Sequence, residues 1–431
     1  MRVHRWLARA VAARPDEVRA LLWSFGYFFC LLAGYYILRP LRDEMGVAGG
    51  VRNLHWLFTA TFFVMLAAVP VFGAVVARLP RRLFIPLVYH FFVANIAIFW
   101  LLLTFDVAKE QVARVFFVWI SVFNLFAVSV FWSFMADLFA SDQGKRLFGF
   151  IAAGGSAGAL AGPALTVWLV GAMGPVNMLI IAGLLLEAAV LCARRLETAL
   201  PRTEKQFAEK TKQEAIGGGW FAGFSLLLRS PYLAGVALWV LLLSLAGTFL
   251  YFQQANIVAS VSDDPAVRTR IFASIDLAAG VLTLIVQIFA TGRLMGRFGT
   301  GPAAALLPAV FLIGFAALAM SPALMLVIAF QAMQRTANFA VSNPAREVLF
   351  TVVDREEKYK AKYLVDGVVF RGGDALSGWL FNALRAAGVE LAAISLAAVP
   401  IAAAWIVVSL LLGRAQEHRA VKAPFRDEAQ R

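Results

Sequence analysis

Apolar runs long enough to cross a bilayer recur along nearly the whole chain, separated by short polar or basic breaks. A helix needs about 20 consecutive apolar residues to span the hydrocarbon core. Runs of that kind predict helices over Ala20–Arg42, Leu54–Val76, Phe84–Phe105, Val115–Phe139, Phe148–Val170 and Val176–Ala193. Six more follow over Tyr232–Phe252, Ile271–Thr291, Ala303–Met320, Ala323–Phe339, Leu364–Leu384 and Leu391–Leu412. The tenth and eleventh carry charged residues within them. The expected fold is an all-α membrane protein of twelve transmembrane helices.

The one long connection, Arg194 to Arg229, is charged and then glycine-rich, and it falls midway. It divides the chain into an N-terminal six-helix half (1–193), a linker (194–231) and a C-terminal half with a tail (232–431). Lys and Arg gather on alternate connections: the N-tail, Arg78, Arg81 and Arg82, then Lys145 and Arg146, and the central linker. Arg293 and Arg297, the stretch from Arg346 to Lys362, and the C-tail continue the pattern. By the positive-inside rule both termini are expected in the cytoplasm. The first 19 residues lack an apolar core and contain Asp16 and Glu17, so neither a secretory signal nor a transit peptide is expected.

Composition narrows the class further. The 431 residues are 61% hydrophobic and only 15% charged, and mean hydropathy is +0.77. That leaves too little polar surface for a soluble multidomain protein. The net charge of +13 points to loops held at an anionic leaflet rather than to nucleic acid. Cys30 and Cys192 sit in apolar runs and the four histidines are dispersed, so no disulfide framework, metal or cofactor is expected.

Ionisable residues inside membrane helices usually face a cavity or a partner. Tyr35, Arg39, Arg42 and Asp43 cluster at the end of helix one, with Glu44 beside them, around Pro40, which should bend or interrupt the helix. Two arginines near freed backbone groups suit a phosphate or carboxylate, or else form an interfacial anchor with the neighbouring acids. Helix four offers Asn124 and Trp132, the latter for a cavity wall or for packing, and Asp137, expected to pair with the Lys145–Arg146 loop. Gln253 and Gln254 lie at the exit of helix seven. Asp276, about one turn inside predicted helix eight, could meet an external arginine, titrate a proton, or simply sit at a helix entry.

Gln331, Gln334, Arg335 and Asn338 fall on one face of helix ten, which should not meet lipid. Helix eleven adds Asp366, Arg371 and Asp374; Arg371 and Asp374, three apart, can neutralise each other. Gly154, Gly158 and Gly162 repeat every four residues in helix five, a pattern for close helix packing. The loops before helices five and eleven echo each other, both leading to a Gly-Gly step at Gly154-Gly155 and Gly372-Gly373. No nucleophile–base arrangement, phosphate loop or dinucleotide fingerprint is present, so an enzyme is not expected.

Six helices, a cytoplasmic linker and six more resemble the major facilitator superfamily, whose halves are parallel repeats. Within that frame, the segment YYILRPLRDEM and the stretch from Pro344 to Leu376 resemble the ATP/ADP antiporter family of plastids and bacteria. The resemblance implies a major-facilitator-like fold and exchange of anionic nucleotides. It departs from the family at three points. Arg42 stands where the family carries a lysine, Asn124 is the nearest polar residue to a missing helix-four glutamate, and Asp374 replaces a helix-eleven lysine.

The expected function is therefore a secondary-active transporter of an anionic small molecule, working by alternating access. Tyr35, Arg39, Arg42, Asn124, Trp132, Gln253, Arg335, Asn338 and Arg371 would bind substrate. Asp43, Asp276, Asp366 and Asp374 would gate or couple. Proton-coupled movement of another organic anion or an amphiphile, and a non-transporting regulator that kept the fold, stand as alternatives.

Overall fold

The computed structural model describes Arg14 and residues 17–78, 81–139, 141–199, 229–291, 297, 299–353, 361–362 and 364–429. The N-tail arginines Arg2, Arg5 and Arg9, the linker over 201–228, Arg293, Arg355, Lys358 and Lys360 lie outside the described residues. So do the side chains of Arg78, Arg81, Arg82, Asp137 and Lys145, and those beyond Ala420.

All regular structure among the described residues is helical, as a bilayer requires of any chain that does not close into a barrel. The first six helices are α1 (Val18–Ala48), α2 (Leu54–Arg78), α3 (Arg81–Thr104), α4 (Lys109–Leu138), α5 (Ser141–Met173) and α6 (Met178–Ala199). The next six are α7 (Pro231–Val261), α8 (Pro265–Phe289), α9 (Thr300–Met320), α10 (Leu324–Ala337), α11 (Phe370–Ala386) and α12 (Leu391–Ala429). Each predicted span falls on one of them. Among the described residues, nine helices are long and apolar enough to cross a membrane. The other three are α6, with its charged end, and α10 and α11, which are shortened by adjoining π-helical turns.

Those π-turns are a feature that the hydropathy pattern does not carry. Asn338–Ser342 continues α10 as π-helix before a further helical segment, Asn343–Leu349. Leu364–Val369 is a π-helical lead into α11.

The chain forms two compact units. One holds α1, α2 from Ala67 onward, α3 to α6, and the opening of α8 as far as Leu277. The other holds the turn at Val51–Asn53, the start of α2, α7, the rest of α8, and α9 to α12.

In the first unit α1 is central, packing on α4, α5 and α6, while α3 packs on α4 and α6. In the second, α7 packs on α10, α11 and α12, and α9 packs on α10 and α12. Every pairing of the first set recurs six helices later, the arrangement a parallel internal repeat produces.

Glycine sets the closest of these approaches. A Cβ on Gly154 would lie 2.5 Å from the Phe25 carbonyl oxygen, and one on Gly162 2.6 Å from that of Ala33. Gly158, between them, abuts the Phe29 carbonyl. The GxxxGxxxG stripe therefore seats α5 directly on the backbone of α1. The Gly-Gly echo has the same meaning: Gly155 faces Phe28 of α1, and Gly373 of α11 faces Leu241 and Ser244 of α7. In the second unit Gly301 and Gly413 bring α9 and α12 into backbone contact.

Polar groups in these cores are bridged between helices. Tyr27 donates to the Tyr89 hydroxyl at 2.6 Å, and Tyr89 to the Ala127 carbonyl at 3.1 Å, joining α1, α3 and α4. Trp239 of α7 donates to Ser409 of α12 at 2.9 Å. At 39 residues α12 is the longest helix, and its Arg419 lies 4.5 Å above the Tyr232 ring of α7.

Gly158→Leu should force α1 and α5 apart, at a cost of at least about 1–3 kcal/mol. Thermal unfolding in detergent is expected to show a large loss or no monodisperse protein. Gly149→Leu, where nothing lies within 4 Å of the added Cβ, should leave the melting temperature nearly unchanged.

Candidate functional site

The polar end of α1 is laid out on one unbroken helix, because α1 runs through Pro40 without interruption. Of the bend or interruption expected at Pro40, the interruption does not occur. Pro40 is buried, and packed transmembrane helices tolerate the missing donor. From this helix two carboxylate–arginine pairs reach the opening of α8 within the first unit. Arg39 meets Asp276 at 3.7 Å, and Glu44 accepts from Arg268 at 3.0 Å. Glu44 and Asp276 are both buried, so each charge is removed from lipid and matched.

Asp276 thus has the arginine partner that was one of its three readings. It is no helix-entry acid, since α8 starts at Pro265 and puts it about three turns inside. Arg42 binds its own neighbour, donating from Nη2 to Asp43 at 2.6 Å, and lies 5.0 Å from the Phe117 ring centroid. That is the local Arg–Asp pairing foreseen as the plainer reading of this segment.

The remaining first-unit candidates are held by packing. Tyr35 sits edge-on to Tyr36, with centroids 5.2 Å apart, and lies 6.4 Å from Phe123. Trp132, half-buried, packs edge-on against Phe28 at 5.4 Å and Phe148 at 5.6 Å at the margin of the core. Asn124 is half-buried on α4. Cys30 of α1 and Cys192 of α6, far apart in sequence, are both free thiols.

Arg146 meets Glu17, while the side chain of its expected partner Asp137 lies outside the described residues. The Glu17 carboxylate accepts from Arg146 at 3.0 Å, from Gln143 at 3.0 Å and from the Arg14 backbone at 2.8 Å. Burial alone would raise its pKa. The hydrogen bonds and the Arg146 charge outweigh burial and hold the carboxyl below its ordinary value.

In the second unit the predicted polar face of α10 is present. Gln331 and Arg335 are buried, and Gln334 donates to the Gln331 carbonyl oxygen at 3.1 Å. Asn338, the last member, opens the π-turn, and its Oδ1 is buried with no hydrogen-bond partner among the described residues. On α7, Gln253 accepts from Ser395 of α12 at 2.9 Å. Both amide atoms of the adjacent Gln254, also buried, lack a partner among the described residues. π-Turns are frequent at functional sites, and each orphaned buried amide calls for a partner such as a water or a bound solute.

Helix eleven carries the pair foreseen for it. Arg371 reaches Asp374 at 3.5 Å, and Ser244 and Thr248 of α7 donate to the same carboxylate at 2.7 and 3.2 Å. Those two hydroxyls were missed because neutral serines and threonines at i, i+4 in an apolar run look like ordinary helix filler. Asp366 pairs with Arg346 at 3.2 Å, and Glu347 with Lys362 at 2.6 Å. The family-like segment from Pro344 to Leu376 therefore acts as a double clasp between the exit of α10 and the entry to α11.

A helical membrane protein with six-helix periodicity and matched intramembrane charges fits a transporter, and the comparisons agree. The family model described as Major Facilitator Superfamily matches residues 23–358. The chain belongs to that family and is a multi-pass membrane transporter of its type, not an enzyme. It is similar to ADP,ATP carrier protein 1 of Chlamydia muridarum, 21% identical over 425 residues, covering 83% of this chain and 80% of that protein. The protein of the same name from Chlamydia trachomatis serovar D is 23% identical over the same shares. The likeness read from the two signature segments thus extends along most of the chain.

Solved structures share the fold. The nucleoside transporter NupG superposes with a TM-score of 0.62 at 12% identity, covering 94% of this chain and 99% of that one. An auto-inhibited POT family peptide transporter gives 0.61 at 15%, covering 92% and 96%.

Glu44→Gln should leave Arg268 as an uncompensated buried charge, costing about 3–5 kcal/mol. The paired reversal, Glu44→Arg with Arg268→Glu, should recover much of that loss. Detergent unfolding curves of the single and double variants give the coupling directly; additive losses would deny the pair any role.

Proposed function

We propose that this protein is a secondary-active transporter that moves an anionic small molecule by alternating access, with nucleotides as the leading substrate class. The observation that carries the reading is Arg335, buried on α10 beside amides that include the orphaned Asn338 Oδ1. An arginine buried in a membrane helix faces a partner or a polar cavity, and the unsatisfied amides beside it extend that polar surface, which suits an anionic solute. Helix α7, which packs on α10, contributes Gln253 and Gln254. The printed name of the chlamydial relatives, ADP,ATP carrier, supports a nucleotide, and NupG, a nucleoside transporter, shares the fold.

Arg39, Arg42 and Arg371 belong to the same proposal as anion-binding groups, with Tyr35, Asn124 and Trp132. Asp43, Asp276, Asp366 and Asp374 act as exchangeable partners for the arginines. The division into halves at 1–193 and 232–431 about a linker at 194–231, and a bacterial inner-membrane location with both termini cytoplasmic, complete the picture. A C-terminal green fluorescent protein fusion should fluoresce in cells, whereas an alkaline phosphatase fusion at the same point should be silent. The reverse result would invert the topology.

Proton coupling is a second reading, motivated by the buried Asp374 carboxylate. Proteoliposome uptake separates the two. Labelled ATP or ADP should enter only when nucleotide is present inside, and Arg335→Gln should cut the rate at least about tenfold, the equivalent of ~1.4 kcal/mol. Uptake driven by a pH gradient alone would favour proton coupling, and no saturable uptake or exchange of any nucleotide would remove the nucleotide claim.

A further inference from the structure

In the second unit, the ends of α7 and α11 and the turn before α2 enclose a cavity of about 350 Å³. Its lining includes Arg52, Arg385, Asn256, Asn382, Phe252 and Phe381. The floor is aromatic: Phe252 and Phe381 are buried, with ring centroids 5.2 Å apart. The rim is cationic. Arg52 comes from the turn Val51–Asn53 and Arg385 from the last turn of α11, and both are exposed.

These two arginines differ from six of those described above. Arg39, Arg42, Arg146, Arg268, Arg346 and Arg371 each have a carboxylate within ion-pair distance. Among the described residues, no carboxylate lies within 4.0 Å of Arg52 or Arg385. Arg385 spends one N–H on the Val389 carbonyl at 3.0 Å, which orients the guanidinium and leaves four donors. Asn256 is pinned by its own bond to the Phe252 carbonyl at 2.8 Å. Two like charges sharing a cavity without a carboxylate repel each other until an anion enters.

We propose that this cavity is a binding site for a phosphate group, separate from the Arg335 region of α10. Guanidinium forks match phosphate oxygens in bidentate geometry, and the volume lies at the small end of the range for ligand pockets. Nearby aromatics indicate its depth. Trp56 and Trp379 are both exposed, with centroids 4.8 Å apart, and the Trp379 indole donates to Thr59 at 3.0 Å. Exposed tryptophan pairs of this kind mark the headgroup level of a bilayer. The phosphate is therefore either that of an anionic lipid headgroup or that of a phosphorylated solute arriving from the same side.

The test uses the full chain, its Arg52→Gln/Arg385→Gln double variant and Arg335→Gln, each checked for monodispersity. In detergent, pyrophosphate is titrated while thermal unfolding is followed. In nanodiscs, phosphatidylglycerol is compared with phosphatidylcholine. A free-phosphate site predicts a saturable rise in melting temperature with pyrophosphate, its midpoint shifted at least tenfold in the double variant. A lipid site predicts a melting temperature several degrees higher in phosphatidylglycerol than in phosphatidylcholine, a difference the double variant loses. Either response, retained in Arg335→Gln, supports the proposal. Identical behaviour of wild type and double variant in both arms would overturn it, as would loss of the response in Arg335→Gln.

Discussion

A charge in hydrocarbon must be met by an opposite charge or by a polar cavity, and that requirement orders most of the side-chain chemistry in this protein. It explains why Glu44 and Asp276 are each buried against an arginine from a helix more than 220 residues away in sequence. It explains why Asp374 gathers two hydroxyls as well as Arg371. Packing then works around these fixed points. With every helix satisfying its own backbone, the bilayer supplies no hydrophobic drive for one helix to find another, so small residues decide which pairs come close. The contact of α5 on α1 through Gly154, Gly158 and Gly162 is the result.

Helix positions were legible in the sequence because length and hydropathy suffice to define a span. The same holds for the glycine stripe and for the Arg371–Asp374 pair, both set by spacing within one helix. Contacts between distant helices were not legible. Nothing local says that Arg39 belongs with Asp276, that Glu44 belongs with Arg268, or that Arg146 belongs with Glu17. Hydroxyls such as Ser244 and Thr248 carry no charge signal at all. The π-turns were invisible for a different reason: they change winding and leave hydropathy untouched, yet they set where Asn338 and Asp366 sit.

The departures from the antiporter pattern gain a physical meaning from these contacts. Arg42 keeps the positive charge of the family lysine but is engaged by Asp43 beside it. Asp374, in place of a lysine, is satisfied by groups from α7 and by Arg371, forming a bridge between two helices. Near Asn124, where the family has a glutamate, α4 presents a half-buried amide. Each change is accommodated locally. The two segments that resemble the antiporter family form structural joints, one at the end of α1 and one between α10 and α11.

Helix α12 has a practical side. Its 39 residues would measure about 58 Å, roughly twice the thickness of the hydrocarbon core. It leaves the apolar region as continuous helix, braced where Arg419 lies over Tyr232. A helical partner fused in register after that brace would inherit its orientation from the transporter and stand clear of the micelle. For single-particle imaging of a protein this small, that stem is a ready mount for an alignment marker.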